Sequence, residues 1–106
     1  MKKIFKYELA IQEKQEIVLP IGAKIIRVDD VEGKFWLWAI VDVPDPNFEE
    51  TEEDIDTEIR YIEFYKTGQE IKTDLKRLTY LGFCKLHIMQ ELGLYVFERF
   101  TGTMGL

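Results

Sequence analysis

The chain has one cysteine, one histidine and three prolines among its 106 residues. A lone Cys84 cannot close an internal disulfide, so the core must hold without a covalent staple, as is normal in a reducing cytoplasm. Cys84 and His87 supply two metal ligands where structural zinc takes four, so no metal site is expected, and one completed between two copies is disfavoured. Long apolar runs are also missing. No segment approaches the roughly 18 consecutive apolar residues of a spanning helix, and Met1-Lys2-Lys3 leads into alternating residues, so neither membrane insertion nor secretion is expected. There is no glycine-rich phosphate loop: Lys66-Thr67-Gly68 is too short and too common a turn to indicate one.

Positive charge is absent from one stretch altogether. Between Asp42 and Glu58 there are nine acids and no Lys or Arg. The rest of the chain, fourteen basic side chains against eleven acidic, is therefore +3 although the whole is −6. Acidity belongs to a segment, so the net charge alone does not argue against an anionic partner.

What is present is a core's worth of apolar side chains: 46% of the residues are hydrophobic and 13% aromatic, too many for a disordered chain. At this length roughly two-thirds of the unfolded surface can be buried, which makes one domain, residues 1–100, the expectation. Its pattern is of period two. Residues 4–11 set Phe5, Tyr7, Leu9 and Ile11 against Lys6, Glu8 and Ala10, and 16–19 place Ile17 and Leu19 on one side before Pro20. Residues 24–29 carry Ile25, Ile26 and Val28, and Glu32-Gly33 is a hairpin signal leading to the next strand. Residues 34–43 are apolar on both faces, Phe35, Leu37, Ala39 and Val41 opposite Trp36, Trp38 and Ile40, which predicts a central strand covered on both sides. Pro44 and Pro46 end it, and the acidic 42–58 segment reads as a long loop.

Alternation returns at 59–65. Over 69–77 the spacing of Ile71, Leu75 and Leu78, with Thr73 or Asp74 as a cap, predicts a short helix. Residues 78–86 set Leu78, Tyr80, Gly82, Cys84 and Leu86 on one face, and 94–100 form the partner strand, with 90–93 as the turn. The 101–106 tail has nothing evident to fix it. About seven short strands at roughly ten-residue spacing indicate a mainly β fold, a small antiparallel β-sandwich or partly open barrel with one short helix.

Several blocks are familiar in this order: Phe5-Lys6-Tyr7-Glu8-Leu9, Gln15-Glu16-Ile17-Val18-Leu19-Pro20, Gly22-Ala23-Lys24-Ile25, Leu37-Trp38-Ala39-Ile40-Val41-Asp42, Thr67-Gly68, Tyr80-Leu81-Gly82-Phe83 and Val96-Phe97-Glu98. Together they resemble a family of small proteins of unknown function encoded mainly by tailed bacteriophages and prophages. The likeness runs to Phe100, and its most specific block is Leu37 to Asp42. The acidic stretch after Pro46 and the connection at 85–92 depart from it. The resemblance implies a phage context, expression in a host cytoplasm and an accessory role toward host machinery or host defence. It carries over no catalytic residues.

The residues point to binding rather than catalysis. Cys84 and His87 are three apart, which on a strand sends them to opposite faces, whereas a nucleophile needs its base within hydrogen-bond reach. Asp54-Ile55-Asp56-Thr57-Glu58 lacks the glycine turn and distal glutamate of a calcium loop. Paired carboxylates in a solvated loop lack the pocket that shifts their pKa values for acid/base work. No cofactor is expected.

Two binding readings remain. In the first, Asp45, Glu49, Glu50, Glu52, Glu53, Asp54 and Asp56 meet a host protein, in the manner of a nucleic-acid mimic facing a basic groove, although charge runs are usually solvated loops. In the second, Trp36, Trp38 and Tyr65 stack on a small signalling nucleotide while Arg60 and Lys66 neutralise its phosphate, although aromatics in so small a domain are usually core. A role in phage structure or assembly is the third alternative. Any uncovered strand edge is the expected route to pairing between copies.

Overall fold

The computed structural model describes residues 1–44 and 55–102. Among the described residues the order is β1 Lys2–Leu9, β2 Lys14–Pro20, β3 Lys24–Val31, β4 Lys34–Asp42, β5 Thr57–Tyr65, a 3-10 turn at Leu75–Arg77, β6 Leu78–His87 and β7 Glu91–Arg99. Seven strands form two antiparallel sheets, β1-β4-β3 and β2-β5-β7-β6, which stack without closing into a barrel. None of the described helical residues forms a helix long and apolar enough to cross a membrane.

The core is the interleaving of two period-two patterns. From β4 come Phe35, Leu37, Ala39 and Val41, and from the other sheet Leu19, Ile62, Phe64, Cys84, Leu94 and Val96, all buried. Phe35 and Phe64 meet across the sheets with ring centroids 5.5 Å apart. Burying each such Leu, Val or Phe stabilises the fold by about 1.5–3 kcal/mol.

The β3–β4 hairpin turns through Glu32 and Gly33, both at positive φ (53° and 81°), the two-residue geometry that matches strand twist. Edge strands β3 and β6 each carry a bulge, at Ile26 and at Leu81, where the two sheets lean together. The bulge at Leu81 reverses part of the sequence-based pattern. Uninterrupted alternation puts Leu78 and Tyr80 on the face of Cys84, but the extra residue sends them outward, and Tyr80 packs its ring edge-on against Phe97 at 5.5 Å.

Other boundaries also shift. The β1 ladder stops at Leu9 because Gln15 takes over beyond it, its side chain bonding both the Ala10 N–H (2.9 Å) and C=O (2.6 Å). The expected helix at 69–77 is an extended segment with one 3-10 turn, capped by Asp74 accepting from the Lys76 N–H. Ile71 and Leu75 are exposed, so the helical spacing has no core to serve. At the β6–β7 hairpin, Leu86 opposite Leu92 and His87 opposite Glu91 extend the ladder, and the turn falls at 88–90. Where the last strand gives way to the tail, Arg77 donates to the Phe100 and Gly102 carbonyls, and its own carbonyl accepts from the Phe100 N–H; residues 103–106 lie outside the described residues. Asp42 and Thr57–Glu58, the two ends of the acidic stretch, belong to β4 and β5.

Candidate recognition surface

β4 is the middle strand of its sheet, yet only its inner face is covered by the second sheet. The expectation of cover on both sides is therefore corrected. Trp36, Trp38 and Ile40 point outward and are half-buried, and among the described residues they are shielded by side chains of the flanking strands rather than by another layer. The rows are ordered: Glu8, Trp36 and Asp29 lie side by side across β1, β4 and β3, and the next row is Lys6, Trp38 and Arg27. Lys6 Nζ lies 4.6 Å from the centroid of the Trp36 ring, and Arg27 Cζ lies 4.4 Å from that of Trp38. The negative faces of both indoles thus hold cations. Long basic side chains also lay their methylenes over apolar surface while keeping their charge in water.

One of these cations is itself anchored. Arg27 donates to Asp29 Oδ2 at 2.7 Å, and this bond is the main reason the Asp29 carboxyl lies below its ordinary pKa. Lys34 reaches Glu8 at 3.6 Å. At the end of the sheet the chain's amino group, at 2.9 Å, and Lys2, at 3.5 Å, converge on Asp42, whose carboxyl is lowered chiefly by the bond from that amino group. Ile4 pairs with Ile40 and stays largely exposed. This is an aromatic centre with an oriented, mixed-charge rim, the composition of a protein-binding hot spot.

A further constellation lies on the outer face of the other sheet and has no signature in the sequence. Glu63, on β5, is 1% exposed. Its Oε1 accepts from the Tyr65 hydroxyl and from Thr73 Oγ1 (2.9 Å), and its Oε2 lies 2.7 Å from Arg99 Nε. Burial, first, and the bond to Glu63 push the Tyr65 hydroxyl above its ordinary pKa. Glu63 faces Phe97 across the ladder, and although Tyr65 is two positions away, the other two polar partners come from ten and thirty-six positions along the chain, so no local pattern announces the cluster.

The residues expected to form a nucleotide site do not converge. Trp36 and Trp38 share the outer face of β4, Tyr65 is buried on the far face of the other sheet, and Lys66 is exposed in a turn. Arg60 points inward from β5, where Nη2 donates to Glu98 Oε1 (2.9 Å), Nε contacts Oε2, and Nη1 donates to the Ala23 carbonyl (2.8 Å). The bond to Glu98 is the main cause of its raised pKa. Asp45, Glu49, Glu50, Glu52, Glu53 and Asp54 lie outside the described residues, and Asp56 is exposed just before β5. Cys84 is buried, its thiol pushed up to about 12 by desolvation and then by the charges of Asp30 and Asp29, while His87 is exposed. Among the described residues no three His, Cys, Asp or Glu gather as for a metal ion.

Across residues 1–103 the chain matches the profile described as Domain of unknown function (DUF7352). The chain belongs to that family. No curated protein and no solved structure matches it. In this DUF7352 chain the match takes in both sheets, the two tryptophans and the Glu63–Arg99 pair.

Proposed function

We propose that this DUF7352 chain is a non-enzymatic accessory protein of a tailed phage or prophage that works in the host cytoplasm by capturing a host protein on the outer face of β4. The carrying observation is the pair of half-buried indoles at alternate positions of a central strand, with no layer above them among the described residues. Tryptophan and arginine are the residues on which binding energy most often concentrates. Here Trp38 and Arg27 are held in contact, so little side-chain entropy remains to be lost on binding. The phage context rests on the sequence blocks from Phe5 to Glu98 described above. The carboxylates from Asp45 to Asp56 would add electrostatic steering toward a basic partner. A nucleotide sponge is the weaker reading, because Trp36, Trp38, Arg60, Tyr65 and Lys66 fall on separate faces.

The test is co-purification from host cells with the native chain and with the Trp36→Ala/Trp38→Ala double variant. The native chain should hold a stoichiometric host protein. The double variant should lose about thirtyfold or more in affinity, the loss expected when a hot-spot residue worth at least ~2 kcal/mol is removed. A folded double variant with undiminished capture would overturn the assignment of this face.

A further inference from the structure

We propose that Arg99 is the receptor for a carboxylate attached to an apolar body, in a cleft on the sheet opposite the tryptophan face. The cleft opens where β5 and β7 part company. Their pairing ends at Tyr61 opposite Arg99, and the residues before Tyr61 have no β7 partner. The cleft has a volume of about 580 Å³, with Ile59, Tyr61 and Phe100 in its apolar wall and Thr79 and Thr101 also among its lining. That is the size of a small-ligand or side-chain pocket.

Arg99 is prepared for such a ligand from behind. Its guanidinium carbon lies 4.9 Å from the centroid of the Tyr61 ring, and its buried Nε lies 2.7 Å from the buried Glu63 Oε2. The ion pair lacks the alignment of a hydrogen bond, so the contact is one of charge rather than of directed donation. Glu63 is in turn held by Tyr65 and Thr73 through its other oxygen. The side chain of Arg99 remains 35% exposed, and its two Nη atoms have no hydrogen-bond acceptor among the described residues. A planar fork with both outer nitrogens unused fits a carboxylate through two parallel bonds.

Charge decides between a carboxylate and a phosphate. The other charged groups of the cleft are Arg60 and Glu98, which pair with each other, and Glu58, which accepts from the Gly22 N–H at 2.7 Å. With Arg60 matched to Glu98 and Arg99 to Glu63, Glu58 is left unbalanced, so the cleft has no positive charge to spare and would hold an anion through the two Nη bonds and the apolar wall. One negative charge is opposed less than two. A phosphate of roughly −1.5 to −2 would add repulsion from Glu58 and Glu98 that Arg99 alone does not offset.

The experiment is titration of the ¹⁵N-labelled full chain with three probes: 4-phenylbutyrate, a blocked hexapeptide carrying one glutamate between leucine and phenylalanine, and inorganic phosphate. Saturable shifts of the Thr79, Phe100 and Thr101 amides and of the Arg99 Nε–H with either carboxylate probe are the expected result. A response to the peptide alone identifies a side chain of a partner protein as the source, and a response to phenylbutyrate alone identifies a free acid. Arg99→Lys keeps the charge beside Glu63 but removes the fork, and should weaken binding about tenfold or more. If that variant does not fold, Tyr61→Leu, which removes the ring under the guanidinium, should weaken binding severalfold in its place. Absence of saturation with both carboxylates, phosphate binding as tight as theirs, or full affinity in a folded Arg99→Lys variant would each overturn the proposal.

Discussion

Gly82 on β6 lies against Val28 on β3 so closely that a Cβ at position 82 would sit 2.9 Å from the Val28 carbonyl oxygen. This approach joins the edges of the two sheets, and two residues along β3 from Val28, Asp30 Oδ1 accepts from the Lys85 N–H at 2.7 Å, capping an edge-strand donor that has no ladder partner. Both bulges fall beside it, at Leu81 and Ile26.

Gly82→Ala should therefore push apart two pieces of backbone rather than displace a side chain. The expected loss is about 1–3 kcal/mol, the range for overpacking a close-packed interior. Urea unfolding monitored by tryptophan fluorescence measures it. Unaltered stability would show that the β3–β6 approach relaxes freely.

Much of this architecture was legible in the alternation of apolar and polar residues, because a half-buried strand imposes a period of two whatever its neighbours are. The inward set Phe35, Leu37, Ala39 and Val41 and the Glu32-Gly33 hairpin follow from local pattern alone. The bulge at Leu81 does not, since it depends on how near β3 comes, and so the outward turn of Tyr80 was hidden. For the same reason Trp36 and Trp38 could be picked out as residues but not as a surface. Whether a second layer covers them depends on how many sheets stack, which the strand itself does not encode. Glu63 was illegible because Thr73 and Arg99 reach it only through tertiary structure.

Arg27→Ala should uncover the Trp38 ring while leaving the sheet intact. Arg27 is more than half exposed and its pair with Asp29 is solvated, so the stability change should stay within about 1 kcal/mol. The optical change should be larger than the energetic one. Acrylamide quenching of tryptophan emission is expected to rise relative to the native chain, and an unchanged quenching constant would place the guanidinium elsewhere in solution.

At Glu63 two substitutions should separate charge from hydrogen bonding. Glu63→Gln keeps an amide oxygen for Tyr65 and Thr73 but removes the partner of Arg99 Nε, and should cost about 1–3 kcal/mol. Glu63→Ala takes the shared acceptor from both hydroxyls and the counter-charge from the arginine, and should cost more, about 3–5 kcal/mol. Equal losses by chemical denaturation would mean that the ion pair alone carries the effect.

Cys84 gives a test by pH. Its thiol is buried and its pKa is raised from 9.0 to about 12, so between these values the unfolded chain releases a proton that the folded chain keeps. The unfolded state then binds fewer protons, and stability falls as pH rises. The contribution is whole below pH 9 and is lost progressively toward pH 12, with a slope approaching about 1.4 kcal/mol per pH unit for one proton. Tyr7 and Tyr65, also raised by burial, act in the same direction at the upper end of this range, so the comparison must be with Cys84→Ala, which retains both tyrosines. Unfolding measured from pH 8 to 10.5 should show a shallower decline in the variant than in the native chain. Parallel declines, or rapid labelling of the folded native chain by a thiol reagent at pH 8, would show that the thiol is open to solvent.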